Sequence, residues 1–230
     1  MVLKFSFTAF VVASLAVFSS FTPQAEAHSW ADCIDWKFHN ATSQDWTDNG
    51  GKCTGYARRF PLGKPFGSLD SNYPPRHYQQ DINNPNFALP CADFKDGQQH
   101  GSNETRANPV RAAYGGEFGR MTTTLVGDTL CVRWPAKNHG VVNNPNNPVQ
   151  INLSTLRNGK DVSQQELLKN TIALLPYKNC VPGPNEDRRA CGGCFKVPSR
   201  VSGTYLLQWR WMLNPGEWYT SCADIKIAKK

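Results

Sequence analysis

The chain has 230 residues, of which 40% are apolar and 19% are charged, so it can build a folded core and is not a disordered protein. Eighteen Gly and 16 Pro against 3 Met favour a loop-rich β protein over a helical bundle, and eight Cys argue against an ordinary cytosolic enzyme. A formal net charge of +7 suits an anionic partner such as nucleic acid, anionic lipid or an acidic polysaccharide.

Residues 1–27 have the pattern of a secretory signal peptide. Lys4 gives the positive start, an apolar run without charge extends from Phe5 to Phe21, and Ala25-Glu26-Ala27 forms a small-x-small cleavage site. No later stretch approaches the ~18 apolar residues that a membrane span requires. We therefore predict a secreted protein with no membrane segment, whose residues 28–230 form a single domain.

The cysteines and the glycosylation sequons agree with secretion. We predict four disulfides from Cys33, Cys53, Cys91, Cys131, Cys180, Cys191, Cys194 and Cys222, with the pairing left open. The Cys191-Gly-Gly-Cys194 segment lacks a second CxxC and a thioredoxin-like context, so we interpret its cysteines as structural. Sequons begin at Asn40, Asn103 and Asn152, which predicts a glycoprotein without saying which of them is modified.

The remaining patterns are those of strands, taken in chain order. Residues 129–134 and 149–153 form short apolar strands, and Ser163 with Glu166 forms a capping box at the start of a helix. Between Thr204 and Met212 the residues alternate, with the aromatic residues on one face and Gln208 and Arg210 on the other. A last strand extends from Trp218 to Ile227. The pattern predicts an all-β sandwich with long loops and one or two short helices.

The chemistry begins at the predicted new N-terminus, His28. A terminal histidine offers two nitrogen donors, the free α-amine and the imidazole Nδ1, and one further imidazole completes a three-nitrogen set suited to copper(II). His139 is the preferred partner because it follows a strand, and His39, His77 and His100 remain alternatives. A histidine at position 28 can also arise by accident.

A tyrosine near the C-terminus, Tyr219, lies in the segment Glu217–Ile225 of the last predicted strand. A strand tyrosine can approach a copper ion weakly along its axis. The alternative is a tyrosine of the core.

These features together resemble a lytic polysaccharide monooxygenase. His28-Ser29-Trp30, the post-strand His139 and the segment Trp218–Ile225 occur in the family's order, and the opening His-Ser-Trp-Ala-Asp-Cys with many cysteines is most similar to auxiliary activity family 17 of oomycetes. The resemblance implies an immunoglobulin-like or fibronectin-like β-sandwich. It also implies one copper ion held by His28 and His139, with Tyr219 axial and either Glu217 or Gln208 beside the metal.

The resemblance implies oxidative cleavage of a polysaccharide. An external electron donor reduces the copper, hydrogen peroxide or dioxygen is the co-substrate, and a sugar is oxidised at C1 or C4. Pectin homogalacturonan is the preferred substrate because its carboxylates complement the basic chain; cellulose or chitin is the alternative. Candidate cations are Arg58, Arg59, Lys64, Arg76, Arg106, Arg111, Lys137, Arg188, Arg189 and Arg200.

Among individual substrate-binding residues, Lys137 is favoured because it lies two positions from His139. Trp30 and Tyr78 are candidates for stacking on sugars, although Trp30 can equally be a core residue. We expect a monomer that binds no nucleic acid. The rival hypotheses are a copper-capturing protein on the same scaffold and a carbohydrate-binding protein that holds no metal.

Overall fold

Ten strands and one short helix make up the regular structure of the described residues. The structure is a computed structural model that describes residues 29–58, 78–91, 121–136, 147–155, 161–177, 180 and 189–229. Several predicted features lie outside these ranges: the signal peptide, His28, His77, His100, His139, Lys137 and the Asn103 sequon.

The larger sheet is built around a long hairpin near the C-terminus. Its strands are β3 (Tyr78–Gln79), β10 (Glu217–Ala228), β9 (Gly203–Asn214), β6 (Val149–Leu153) and β7 (Thr171–Leu175), adjacent in that order. All four of these pairings are antiparallel, whereas β4 (Thr122–Leu125) pairs with β10 in parallel. Gly216 has φ 83°, in the left-handed region that favours glycine, where the chain turns from β9 into β10.

A second layer covers one face of this sheet. It contains the antiparallel pair β5 (Thr129–Pro135) and β8 (Ala190–Lys196), and the small hairpin of β1 (Trp36–Phe38) and β2 (Gly51–Cys53). An isolated antiparallel bridge between Cys33 and Arg133 joins the segment before β1 to β5.

The main core lies between the two layers and contains three of the seven tryptophans, Trp134, Trp209 and Trp211. Leu207, Trp209 and Trp211 of β9 point into this core, as the alternating sequence predicts, and meet Val132 and Trp134 of β5. Burial of such large side chains contributes roughly 2–3 kcal/mol each to stability. The opposite face of β9 and β10 packs on a smaller cluster around the described helix.

The predicted helix is confirmed as α1 (Gln164–Leu168), a single short turn. Ser163 is its N-cap, because its hydroxyl accepts a hydrogen bond from the backbone N–H of Glu166 at 3.2 Å. The Glu166 carboxylate accepts a hydrogen bond from Thr155, so this side chain joins the helix to the end of β6. Leu167 is buried in the smaller cluster with Leu206 and the disulfide of Cys222.

All eight cysteines form disulfides, which confirms four bridges and supplies their pairing. The pairs are Cys33–Cys53, Cys91–Cys222, Cys131–Cys194 and Cys180–Cys191. The two cysteines of the CxxC segment therefore bond to other partners and not to each other. Gly192 between them is required by close packing, since a Cβ there would lie 2.3 Å from the Trp46 ring.

The predicted fold class, an all-β immunoglobulin-like sandwich with a short helix, is confirmed by these two packed layers. Among the residues that the structure describes, no helix has the length and apolar character needed to cross a membrane.

Candidate metal centre

The first described residues run beside the end of β5 in the antiparallel direction. The N–H of Asp32 donates to the carbonyl of Arg133 at 3.0 Å, and the N–H of Arg133 donates to the carbonyl of Cys33 at 2.9 Å. Two residues after Arg133, the carbonyl of Pro135 accepts a hydrogen bond from the Ser29 hydroxyl at 2.9 Å. Because the two segments are antiparallel, Ser29 and Ala136 lie at the same end of the sandwich.

The two described residues that flank the segment with His139 are Ala136 and Asn147, and each is hydrogen-bonded to the sandwich. Before it, the carbonyl of Ala136 accepts a hydrogen bond from the Tyr177 hydroxyl at 2.9 Å. After it, the Asn147 carbonyl accepts from the indole of Trp211 at 3.2 Å, and the Asn147 amide donates to Met212 at 3.1 Å. The Tyr177 and Trp211 rings stack with centroids 3.9 Å apart, so both ends of the segment meet at one aromatic pair.

Tyr219 belongs to the same end. It pairs with Trp211 in the β9–β10 register, and their ring centroids are 6.4 Å apart. Ser221, two residues along the same face, accepts a hydrogen bond from the N–H of Ala31 at 3.0 Å. The structure thus brings together Tyr219, the residue after His28 and the residues that flank the His139 segment.

Chain length limits how far the two predicted imidazole ligands lie from this end. His28 is joined directly to Ser29, so their Cα atoms are about 3.8 Å apart, and His139 is three residues from Ala136, a reach of at most about 11 Å. Among the described residues, no group of three or more His, Cys, Asp or Glu is arranged to hold a metal.

The Tyr219 side chain is held by an acidic partner. Its ring is buried at 1% exposure, and its hydroxyl donates to Oε1 of Glu217 at 2.7 Å. The Glu217 carboxylate also accepts hydrogen bonds from the amides of Gln79 at 3.1 Å and Asn214 at 2.6 Å. A phenol oxygen can accept as well as donate, so the chemistry of Tyr219 is compatible with a neighbouring copper ion.

Sequence reasoning missed Gln79 and Asn214. Gln79 lies on β3 opposite Tyr219, and Asn214 pairs with Glu217 across the turn that contains Gly216. The Asn-Pro-Gly sequence before Glu217 was the available signal, because Pro followed by Gly indicates a tight turn that brings its flanking residues together.

Gln208, the rival of Glu217, lies on the other face of β9. It is fully buried, and its amide nitrogen donates to the carbonyl of Pro90 and to Gln164, both at 2.7 Å. Its amide oxygen accepts from Asn152 at 2.9 Å. Gln208 therefore belongs to a buried amide network on the side of the sheet away from Tyr219, and the structure brings only Glu217 to the tyrosine.

Three further residues that the sequence offered as candidates, Trp30, Tyr78 and His39, lie among the described residues. Trp30 is 1% exposed, so its ring has no face open to a sugar, and the core interpretation is the one that the structure supports. The backbone of Tyr78 lies on β3 opposite Thr220, one residue from Tyr219. His39 is exposed after β1, with its backbone N–H bonded to Gly50.

A buried ion pair anchors the segment that leads to His28. Arg133 and Asp32 are both fully buried and are 2.7 Å apart, and Asp48 lies 2.6 Å from the same guanidinium. The guanidinium also lies 3.9 Å above the Trp36 ring. Burial alone lowers the pKa of Arg133, but the two carboxylates more than offset this effect and raise it. Sequence patterns did not predict this pair, whose members are 101 residues apart.

The predicted cation set needs a correction at Arg58. Its guanidinium is buried and lies 2.6 Å from Asp161 and 2.8 Å from Asp224, so it is neutralised inside the protein and cannot bind a substrate carboxylate. Arg189 is partly exposed and sits at the candidate site, because its carbonyl accepts a hydrogen bond from the N–H of Ala136 at 2.8 Å. Arg200 is partly exposed, and the other predicted cations lie outside the described residues.

No protein-family model matches the chain, and no curated protein matches its sequence. Among solved structures, an AA10 lytic polysaccharide monooxygenase from Streptomyces lividans matches with 14% identity and a TM-score of 0.34, covering 51% of this chain and 72% of that one. An AA10 enzyme from Photorhabdus luminescens matches with 11% identity and a TM-score of 0.36, covering 53% and 71%. Fusolin of a Wiseana entomopoxvirus matches with 17% identity and a TM-score of 0.34, covering 62% and 58%.

Proposed function

We propose that this protein is a secreted, copper-dependent lytic polysaccharide monooxygenase. One observation carries the proposal: the residue after His28, both ends of the His139 segment and the Tyr219–Glu217 pair meet at one end of the sandwich. The described residue next to His28, Ser29, is hydrogen-bonded to the end of the strand from which the chain continues to His139, and this supports the proposal.

The residues that would hold the copper are His28, through its α-amine and Nδ1, and His139, through an imidazole nitrogen, and the Tyr219 oxygen would lie beside the metal. Copper bound there would supply one-electron redox chemistry directed at a sugar C–H bond. Glu217 accepts a hydrogen bond from the phenol hydroxyl and so fixes the orientation of Tyr219. The burial of Tyr219, Trp211 and Tyr177 keeps water away from the protein side of the site.

The positioning of His28 depends on its neighbours. Ser29 is hydrogen-bonded to Pro135, Ala31 is hydrogen-bonded to Ser221, and Asp32 is paired with Arg133. Three of the four residues that follow position 28 are therefore attached to β5 or β10. Fixing the chain in this way lowers the conformational entropy that a terminal ligand loses when it binds metal.

For the substrate we propose an anionic polysaccharide, with homogalacturonan of pectin as the preferred case. Arg189 is a cation beside Ala136, and Lys137 follows Ala136 directly in the sequence. Guanidinium and ammonium groups next to the reactive centre would pair with galacturonate carboxylates. The net charge of +7 would also raise the association rate with a polyanion.

The test uses protein that begins at His28 and is loaded with one equivalent of copper. We expect an electron paramagnetic resonance spectrum of copper(II) with three nitrogen ligands. With a reductant and peroxide, we expect oxidised oligogalacturonides, detected by mass, from polygalacturonan but not from cellulose or chitin. The same spectrum without oxidised products from any of the three polymers would favour the copper-capturing alternative, and failure to bind copper would exclude both.

A further inference from the structure

We propose that Asn40 carries an N-linked glycan in the secreted protein and that Asn152 does not. The sequence offers both as sequons, and only the folded structure distinguishes them. The proposal is independent of copper and of the polysaccharide chemistry.

Asn40 lies in an exposed turn that satisfies the sequon locally. Its side-chain oxygen Oδ1 accepts hydrogen bonds from the Thr42 hydroxyl at 2.8 Å and from the Thr42 backbone N–H at 3.0 Å. Its backbone carbonyl accepts from the N–H of Ser43 at 3.1 Å, which closes the turn. None of these bonds uses the amide nitrogen Nδ2, the atom to which a glycan is attached, and both side chains are exposed.

Asn152 has the opposite surroundings. It lies on β6, which is hydrogen-bonded to β7 on one side and β9 on the other, and it is fully buried. Its amide nitrogen donates to Oε1 of Gln208 at 2.9 Å, and its amide oxygen accepts from the Thr171 hydroxyl at 2.7 Å. A sugar on this nitrogen would remove the bond to Gln208 and would have to fit where no solvent reaches.

The hydroxyl of the second sequon is also committed elsewhere. Ser154 is fully buried, and its Oγ accepts a hydrogen bond from the N–H of Leu206 at 3.0 Å. The backbone N–H of Ser154 donates to the carbonyl of Leu206 at 2.8 Å. The hydroxyl of Ser154 therefore holds β6 to β9, whereas the hydroxyl of Thr42 turns back to its own asparagine.

The modification transfers an oligosaccharide from a lipid diphosphate donor. A bond forms between Nδ2 of Asn40 and the anomeric carbon of the first sugar, while the bond from that carbon to the diphosphate oxygen breaks. The diphosphate oxygen keeps the electron pair and leaves with the lipid, and the proton lost by the amide nitrogen passes to a base of the transferase. Both hydrogen bonds from Thr42 are accepted by Oδ1 of Asn40, so they leave Nδ2 available for this step.

The two sites also differ in when their geometry forms. The Asn40 turn involves residues 40–43 only, so it can exist before the domain folds. The partners of Asn152 are up to 56 residues away, so that asparagine is accessible to a transferase only before β6 docks. A chain glycosylated at Asn152 could not insert β6 between β7 and β9, and the folded secreted protein would contain no such chains.

The experiment uses the full chain secreted from a eukaryotic host, with Asn103→Gln to remove the third sequon. The secreted protein is treated with peptide N-glycosidase in ¹⁸O water, and the peptides that contain Asn40 and Asn152 are analysed by mass. We expect the ¹⁸O-aspartate label at Asn40 and unmodified asparagine at Asn152. Unmodified Asn40, or a label at Asn152 in folded secreted protein, would overturn the proposal.

Two variants of the exposed turn serve as matched controls. Thr42→Ser keeps the hydroxyl and is expected to keep the glycan, while Thr42→Val keeps the size and is expected to lose it, with secretion unchanged in both. A glycan retained in Thr42→Val would show that the hydroxyl contact to Asn40 is not needed.

Discussion

At the scale of single residues, the orientation of the Tyr219 side chain is set by its hydrogen bond to Glu217. Its hydroxyl donates to Glu217, whose carboxylate is held by Gln79 and Asn214. A hydrogen bond to a charged acceptor contributes about 1.5–3 kcal/mol, so this contact both stabilises the start of β10 and fixes the phenol oxygen.

We expect Tyr219→Phe to lower the free energy of unfolding by about 1–3 kcal/mol, because one hydrogen bond is lost. If the proposed copper site is correct, the substitution also changes the copper(II) hyperfine splitting, because it removes an oxygen that would lie beside the metal. Chemical denaturation and electron paramagnetic resonance measure the two effects. Tyr205→Phe is the control: it removes a similar hydroxyl bond, to Val201 at 2.6 Å, at the far end of β9. It should lower stability without changing the spectrum, and an unchanged spectrum in Tyr219→Phe would remove Tyr219 from the copper site.

His139 is the second residue whose role can be tested singly. We expect His139→Ala to weaken copper binding by more than about 100-fold, since changes to residues behind the ligands already cost 10–100-fold. The measurement is a copper titration by calorimetry. The exposed His39 gives the control, because His39→Ala should leave the affinity unchanged. Unchanged affinity in His139→Ala together with weakened binding in His39→Ala would make His39 the ligand in place of His139.

At the scale of elements, the segment before β1 is attached to β5 by backbone bonds and by one buried ion pair. Arg133 and Asp32 are both fully buried, and the guanidinium also donates to the Trp46 carbonyl at 3.0 Å. Removing one member of a buried pair leaves an uncompensated charge, which costs far more than removing an exposed partner.

We therefore expect Asp32→Asn to lower the free energy of unfolding by about 3 kcal/mol and to weaken copper binding, because the segment that leads to His28 loses its anchor. Asp48→Asn removes the other carboxylate that contacts the Arg133 guanidinium. The Asp48 side chain is 68% exposed, so this substitution should lower the free energy of unfolding by about 1 kcal/mol or less. Urea unfolding of the two variants gives the comparison. Equal losses would mean that the buried pair does not anchor the segment.

At the scale of the whole molecule, the proposed site depends on where the mature chain begins. In the proposed centre the α-amine of His28 is a metal ligand, whereas the nitrogen of an internal His28 is a peptide amide that remains protonated and binds weakly. The proposed centre therefore exists only after removal of residues 1–27.

A protein with one additional glycine before His28 should lose stoichiometric copper binding and activity on polygalacturonan while it unfolds at the same temperature as the mature protein. Calorimetric titration, product analysis by mass and thermal unfolding provide the three readouts. Full activity of the extended protein would rule out a ligand set that contains the α-amine.

The sequence by itself determined the features that depend on neighbouring residues. The alternation in β9 predicted which face enters the core, Ser163 predicted the start of α1, and the even number of cysteines predicted four disulfides. Each of these follows from local periodicity, local capping or composition, which do not require knowledge of distant contacts.

Only the tertiary structure decided the relations between distant residues. It paired Asp32 with Arg133, separated Gln208 from Tyr219, placed Trp30 in the interior and enclosed Arg58 between two carboxylates. The short strands β1 to β4 also lacked a clear pattern, because two to four residues are too few to establish a period. These outcomes depend on which strands become neighbours, and that choice is made by packing of the two layers and not by any segment alone.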